Sequence, residues 1–131
     1  VIVPQTELAG VHLLMSAAGV RHVLGAPKSM KTLPDEIQGT IRRMDYGPTT
    51  VYLSATEDGT VFRITTTDRR QRTATGIGVG SSRASVVRKV KGARCDARRC
   101  VVGQERAGKR VTAFTLSKDR VRRITLGFVI D

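Results

Sequence analysis

Aromatic side chains are scarce in this chain, which has no tryptophan, two tyrosines and three phenylalanines in 131 residues. A platform for single-stranded nucleic acid stacks bases on exposed rings set among basic residues, so with so few rings none is expected. Long apolar runs are also missing. None approaches the roughly 18 residues a membrane-crossing helix needs, so no membrane span is expected. There are two histidines, His12 and His22, and the acidic residues fall mostly in turn-like stretches, at Glu57, Asp58, Asp96 and Asp119. No nucleophile beside a base, carboxylate pair or metal-ligand set can be assembled from them. The sequence therefore nominates no catalytic residue, no cofactor and no metal site, and His22 reads as a surface residue.

Cysteine is confined to Cys95 and Cys100. Zinc would need two further ligands, and both histidines lie in the other half of the chain. The segment Asp96-Ala97-Arg98-Arg99 reads as a hairpin tip that brings the two thiols within bonding reach. A Cys95–Cys100 disulfide is expected, and with it a secreted or cell-envelope location. The chain begins at Val1 rather than methionine, which fits a signal peptide already removed.

The second half of the chain is poor in acid. Residues 1–68 hold six Lys and Arg against seven Asp and Glu, a net of −1, whereas residues 69–131 hold seventeen against four, a net of +13. That asymmetry points to an anionic partner for the second half, whether nucleic acid, an anionic cell-wall polymer or lipid head group, or an acidic protein surface, or to a solvated basic face.

What the chain does contain is a repeat. The stretch Gly76-Ile77-Gly78-Val79-Gly80-Ser81-Ser82-Arg83-Ala84-Ser85-Val86 has a twin 66 residues earlier, in which Val11, Leu13, Ser16, Ala18, Val20 and Leu24 fall on Ile77, Val79, Ser82, Ala84, Val86 and Val90. Each copy reads as a short strand or turn, a capping serine and a helix of two to three turns. The first helix is expected from about Ser16 to Leu24, with Val20, Val23 and Leu24 inward, ending at Gly25-Ala26-Pro27. Downstream, Leu53-Ser54 matches Leu116-Ser117, and Val61-Phe62-Arg63-Ile64-Thr65 matches Val121-Arg122-Arg123-Ile124-Thr125.

Strands are expected over 40–46, 49–55 and 60–67, the last two joined by a turn with the favoured Asp58-Gly59 pair. Alternation places Val51, Leu53, Phe62 and Ile64 on one face and Tyr52, Ser54, Arg63 and Thr65 on the other. Phe114 and Phe128 are likewise assigned to an apolar face. Val1-Ile2-Val3-Pro4 reads as a peripheral arm, residues 28–39 as a connection with a turn of helix near Pro34, and residues 68–72 as an exposed linker. A small hairpin over 93–102 and a larger one over 110–130 complete the second half. Gly76-x-Gly78-x-Gly80 invites a phosphate-loop reading, but the twin has His12 and Leu14 where Gly78 and Gly80 stand, so the shared feature is a strand-to-helix turn.

The pattern predicts an α+β fold of two tandem units, residues 1–68 and 69–131. Each would be a short helix followed by an antiparallel meander, with the sheets joined side by side and both helices on one face. Ser16-Ala17-Ala18-Gly19-Val20 followed by Leu24-Gly25-Ala26-Pro27, repeated in tandem, resembles the units of β-lactamase inhibitor proteins and of the small lipoprotein of the outer-membrane barrel-assembly machinery. The resemblance implies a sheet surface that grips a partner protein. The expected function is accordingly a non-enzymatic exported binding module, with Tyr52, Arg63, Thr65, Arg123 and Thr125 as the surface offered to a protein or other envelope partner. The alternative is a binder of an anionic polymer or nucleic acid through the basic second half.

Overall fold

A computed structural model describes residues 1–55 and 59–129. Strand makes up 46% of it and helix 12%. Residues Thr56, Glu57 and Asp58 of the expected hairpin turn, and Ile130 of the last expected strand, lie outside the described residues. Three two-residue strands, β1 (Ile2–Val3), β2 (Glu7–Leu8) and β3 (Val11–His12), form a small antiparallel sheet. Helix α1 (Ala17–Leu24) follows, then β4 (Ser29–Asp35), β5 (Gly39–Asp45), β6 (Thr49–Ser54) and β7 (Val61–Thr66). Helix α2 (Arg83–Lys89) precedes β8 (Arg94–Cys95), β9 (Arg99–Val102), β10 (Arg110–Ser117) and β11 (Arg120–Phe128). The last eight strands form one antiparallel sheet in the order β4-β5-β6-β7-β11-β10-β9-β8.

The α+β expectation of two helix-plus-meander units is therefore corrected to a mostly β chain. The helices are only eight and seven residues long, and the strands of both halves belong to one eight-stranded sheet that pairs across 68/69, where two sheets joined side by side were expected. At that seam Arg63, Ile64, Thr65 and Thr66 of β7 pair with Gly127, Leu126, Thr125 and Ile124 of β11. Two further departures come from segments that local pattern cannot read. Residues 29–35 are not a connection but the edge strand β4, in register with β5 from Ser29↔Asp45 to Asp35↔Gly39. Pro34 lacks a backbone donor, and an edge strand is where a sheet tolerates that. The N-terminal arm is not peripheral: Ile2 is 2% exposed and belongs to the core. The Ile2 N–H donates to the Arg72 carbonyl at 3.0 Å and the Gln5 N–H to the Thr112 hydroxyl at 2.7 Å.

Short helices in water are marginal, so their ends and one buried face decide whether they form. The Ser16 hydroxyl accepts from the Gly19 N–H at 3.1 Å and the Ser82 hydroxyl from the Ser85 N–H at 3.1 Å, the N-cap bond each serine was expected to make. Val20 and Val86 are wholly buried. Val23, expected inward, is 44% exposed, since eight residues on a helix of this pitch bury a single narrow stripe.

Each helix is joined to the sheet in the same way. The Leu14 N–H donates to the Val61 carbonyl (2.8 Å) and the Val61 N–H to the Met15 carbonyl (2.9 Å). The Gly80 N–H likewise donates to the Val121 carbonyl (2.7 Å) and the Val121 N–H to the Ser81 carbonyl (2.9 Å). Bridges Ser16↔Thr60 and Ser82↔Arg120 sit beside these bonds.

One hydrophobic cluster spans the chain. It joins Ile2, Leu8 and Val11 of the small sheet, Val20 and Val86 of the helices, and Leu53, Ile64, Phe114, Ile124 and Leu126 of the large sheet. The small sheet and both helices thus cover one face of the large sheet. An antiparallel sheet buried on one side alternates apolar-in and polar-out, as β6 and β10 do.

Candidate binding face of the sheet

The uncovered face is built from the residues that alternate with the core. Register links Thr50, Thr65, Thr125 and Ala113 in one transverse row, and Lys31, Arg43, Tyr52, Arg63 and Gly127 in the next. On the other side of the central row, Arg123 pairs with Thr115 and Thr115 with Arg99. The five residues singled out in the sequence therefore share this face. Thr65 and Thr125 face each other directly across the β7–β11 seam. Arg63 and Arg123 lie in rows on opposite sides of that pair, one towards each end of the face.

Phe62 was assigned to the buried face, and the structure corrects this. A β-bulge interrupts the β6–β7 ladder between Tyr52 and Leu53, so that Tyr52 pairs with Arg63 while Leu53 pairs with Val61. The extra residue restores Val61 and Ile64 to the core and turns Phe62 out beside Arg63. The Tyr52 and Phe62 rings are 6.3 Å apart, and the Arg63 guanidinium carbon sits 4.4 Å from the Tyr52 ring centre and 5.7 Å from that of Phe62. An arginine held over two rings loses less freedom on binding than a solvated one. The β10–β11 ladder has its own bulge between Thr115 and Leu116, and it turns Arg122 and Arg123 out together. The sequence carried this signal, because the repeat aligns Phe62 with Arg122, a residue that is not expected in a core.

Lys31 and Arg43 were missed as members of the face, Lys31 because its strand was read as a connection. They change its electrostatics. The near-neutral first half nonetheless places Lys31, Arg43 and Arg63 here, while two of its acids are taken up elsewhere. Glu7 pairs with His12 at 3.0 Å on the small sheet, and Asp68 binds the Arg70 guanidinium at 3.0 Å. Hydrogen bonds from the Arg70 side chain and backbone hold the Asp68 carboxyl below its usual range. Asp45, in the row of Thr50, accepts from the Gly47 N–H at 2.8 Å. Of the arginines at the β8–β9 edge, Arg99 is paired with Glu105, and Arg94 donates to the Gly103 carbonyl at 2.6 Å.

The remaining residues weighed in the sequence are mostly structural. Cys95 and Cys100 are directly opposed on β8 and β9 and form the disulfide. At the hairpin tip the Asp96 carboxylate accepts from the Arg98 and Arg99 N–H groups at 2.7 and 2.9 Å, and these bonds hold its pKa low. In the glycine-rich stretch, the Gly76 N–H donates to the Thr73 carbonyl, the Gly78 N–H to the Ser81 hydroxyl and the Gly80 N–H to Val121. The amides a phosphate loop would need are thus spent inside the fold. Gly78 is fixed by space, since a Cβ there would lie 2.5 Å from the Gln71 carbonyl oxygen. The Glu7–His12 pair was invisible in the sequence because it spans two strands too short to show a period. Among the described residues there is no cluster of three His, Cys, Asp or Glu able to hold a metal. No helix among them is long and apolar enough to cross a membrane. No protein-family model, curated protein or solved structure matches the chain.

Proposed function

We propose that the protein is a non-enzymatic binding module of the cell envelope or extracellular space, which docks the open face of its sheet onto a partner protein with an acidic surface. The observation that carries this reading is the Tyr52–Phe62–Arg63 cluster, preordered by stacking on a face whose rows also present Lys31, Arg43 and Arg123. Tyr and Arg are the side chains that most often dominate interface energy, and opposite charge on the partner would steer association and fix register. The disulfide supports an oxidising compartment. The resemblance to sheet-surface inhibitors points the same way.

A second reading, an anionic polymer bound along the second half, is favoured by the net +13 of residues 69–131. Affinity capture from the envelope fraction of the native organism, at low and moderate salt, tests both. The wild-type protein should retain a discrete partner at moderate salt, and Tyr52→Ala with Arg63→Ala should lose it, while Arg88→Ala on α2 should not. Steep log-linear loss of the natural complex with salt, indifferent to Tyr52 and Arg63, would replace the first reading with the second.

A further inference from the structure

Beside the joint between β11 and the turn before α2, the surface opens into a cavity of about 640 Å³ lined in part by Thr67, Arg69, Gly80, Ser117, Arg120 and Arg122. Two of its arginines converge on one glycine. The Arg120 Nη1 donates to the Gly80 carbonyl at 2.9 Å, and the Arg69 Nη1 lies 2.7 Å from where a Cβ on Gly80 would stand. Gly80 also has φ +98°, a backbone conformation that favours glycine, and a side chain there would push the Arg69 guanidinium aside. Arg122 reaches the same cavity because the bulge turns it outward.

None of the three arginines has an ion-pair partner among the described residues. The acids next to them in sequence are committed elsewhere. Asp68, beside Arg69, is held by Arg70 at 3.0 Å, and Asp119, beside Arg120, faces Arg83 at 3.4 Å. Like charges gathered without a counter-charge repel one another, and a bound dianion would relieve that repulsion. Arginine presents forked donors that match phosphate-type oxygens, and the Ser117 hydroxyl supplies a neutral donor at the rim, while that of Thr67 is spent on the Pro48 carbonyl.

The fold does not require this charge. At the matching joint of the first half, the hydrogen bonds and bulge that place Gly80, Arg120 and Arg122 place Leu14, Thr60 and Phe62 instead. The same backbone geometry is thus made once with neutral residues and once with arginines around a cavity.

We propose that this cavity is a binding site for a phosphate-type dianion, either free phosphate or the terminal group of a small phosphate monoester. The site is distinct from the Tyr52–Phe62–Arg63 cluster and stands or falls independently of it. The test is titration of the intact, disulfide-bonded protein with inorganic phosphate and with phenyl phosphate at constant ionic strength, followed by calorimetry and backbone amide shifts, with chloride as the control anion.

The expected result is saturable one-to-one binding with shifts centred on residues 67–69, 80 and 117–122. Arg69→Gln and Arg122→Gln, neither of which breaks the Arg120–Gly80 contact, should each weaken binding by about five- to tenfold, the loss of one charge-assisted bond at an exposed site. Arg63→Ala and Arg88→Gln should leave it unchanged. Phenyl phosphate binding at least as well as phosphate identifies a monoester site, and phosphate binding while the ester is excluded identifies a site for the free ion. Linear, unsaturated shifts that chloride reproduces, or saturable binding unaffected by Arg69→Gln and Arg122→Gln, would overturn the proposal.

Discussion

Val20 and Val86 have no accessible surface, whereas Val23 and Val87 of the same helices are largely exposed. Truncating either buried valine removes two methyl groups from a shared core. Val20→Ala and Val86→Ala should each cost about 1–3 kcal/mol by lost transfer energy and residual cavity. The outward arginines separate by what they touch. Arg63 stacks on Tyr52 and Phe62, so Arg63→Ala should cost about 0.5–1 kcal/mol, the worth of an exposed cation–π contact. No ring lies beneath Arg123 among the described residues, and Arg123→Ala should stay within about 0.5 kcal/mol of wild type. Urea denaturation of the four variants measures all of this, and neutral valine changes beside an unfolding Arg63→Ala would show the faces to be reversed. At this scale the sequence was legible wherever strict alternation held, as at Tyr52, Arg63, Thr65 and Thr125. It failed at Phe62, because one inserted residue shifts the period and uninterrupted alternation, which groups Phe62 with Ile64, then assigns the ring to the wrong side.

Among the elements, the edges of the large sheet were the hardest to read and are the easiest to weaken. β4 hides in a stretch with proline and charge, features that suit an edge strand and also suit a loop. β8 is two residues long and is tied to β9 through Cys95 and Cys100. That hairpin was legible because two cysteines around a four-residue turn leave few alternatives. Closing so short a loop stabilises by about 2 kcal/mol in the chain-entropy model. Cys95→Ser with Cys100→Ser should therefore lower stability by about that much. Amide exchange should accelerate at residues 94–102 while the β7–β11 seam stays as slow as global unfolding allows. Exchange that rises equally at the seam would mean that the disulfide supports the whole sheet, not its edge.

For the molecule as a whole, the repeat in the sequence pointed to paired helices and capping serines, but it gave too much weight to helix. Short apolar strands such as β1 and β3 contribute to the core without a readable period, and pairing between β7 and β11, some 60 residues apart, leaves no local trace. That seam makes the two halves mutually dependent. Separated at 68/69, each would expose the edge of β7 or β11 as a row of unpaired backbone groups, and a chain of about 65 residues buries too little surface to be more than marginally stable. The intact protein should consequently unfold in one transition. Its composition offers a direct check, because both tyrosines, Tyr46 and Tyr52, lie before residue 68 and there is no tryptophan. Tyrosine fluorescence thus reports the first half alone, while far-UV circular dichroism reports strands of both. In urea the two curves should coincide in midpoint and slope, and Val86→Ala, in the half that contains no tyrosine, should move the tyrosine curve by as much as it moves the dichroism. A tyrosine transition that ignores Val86→Ala would mean that the halves unfold separately and that the β7–β11 seam carries little of the stability.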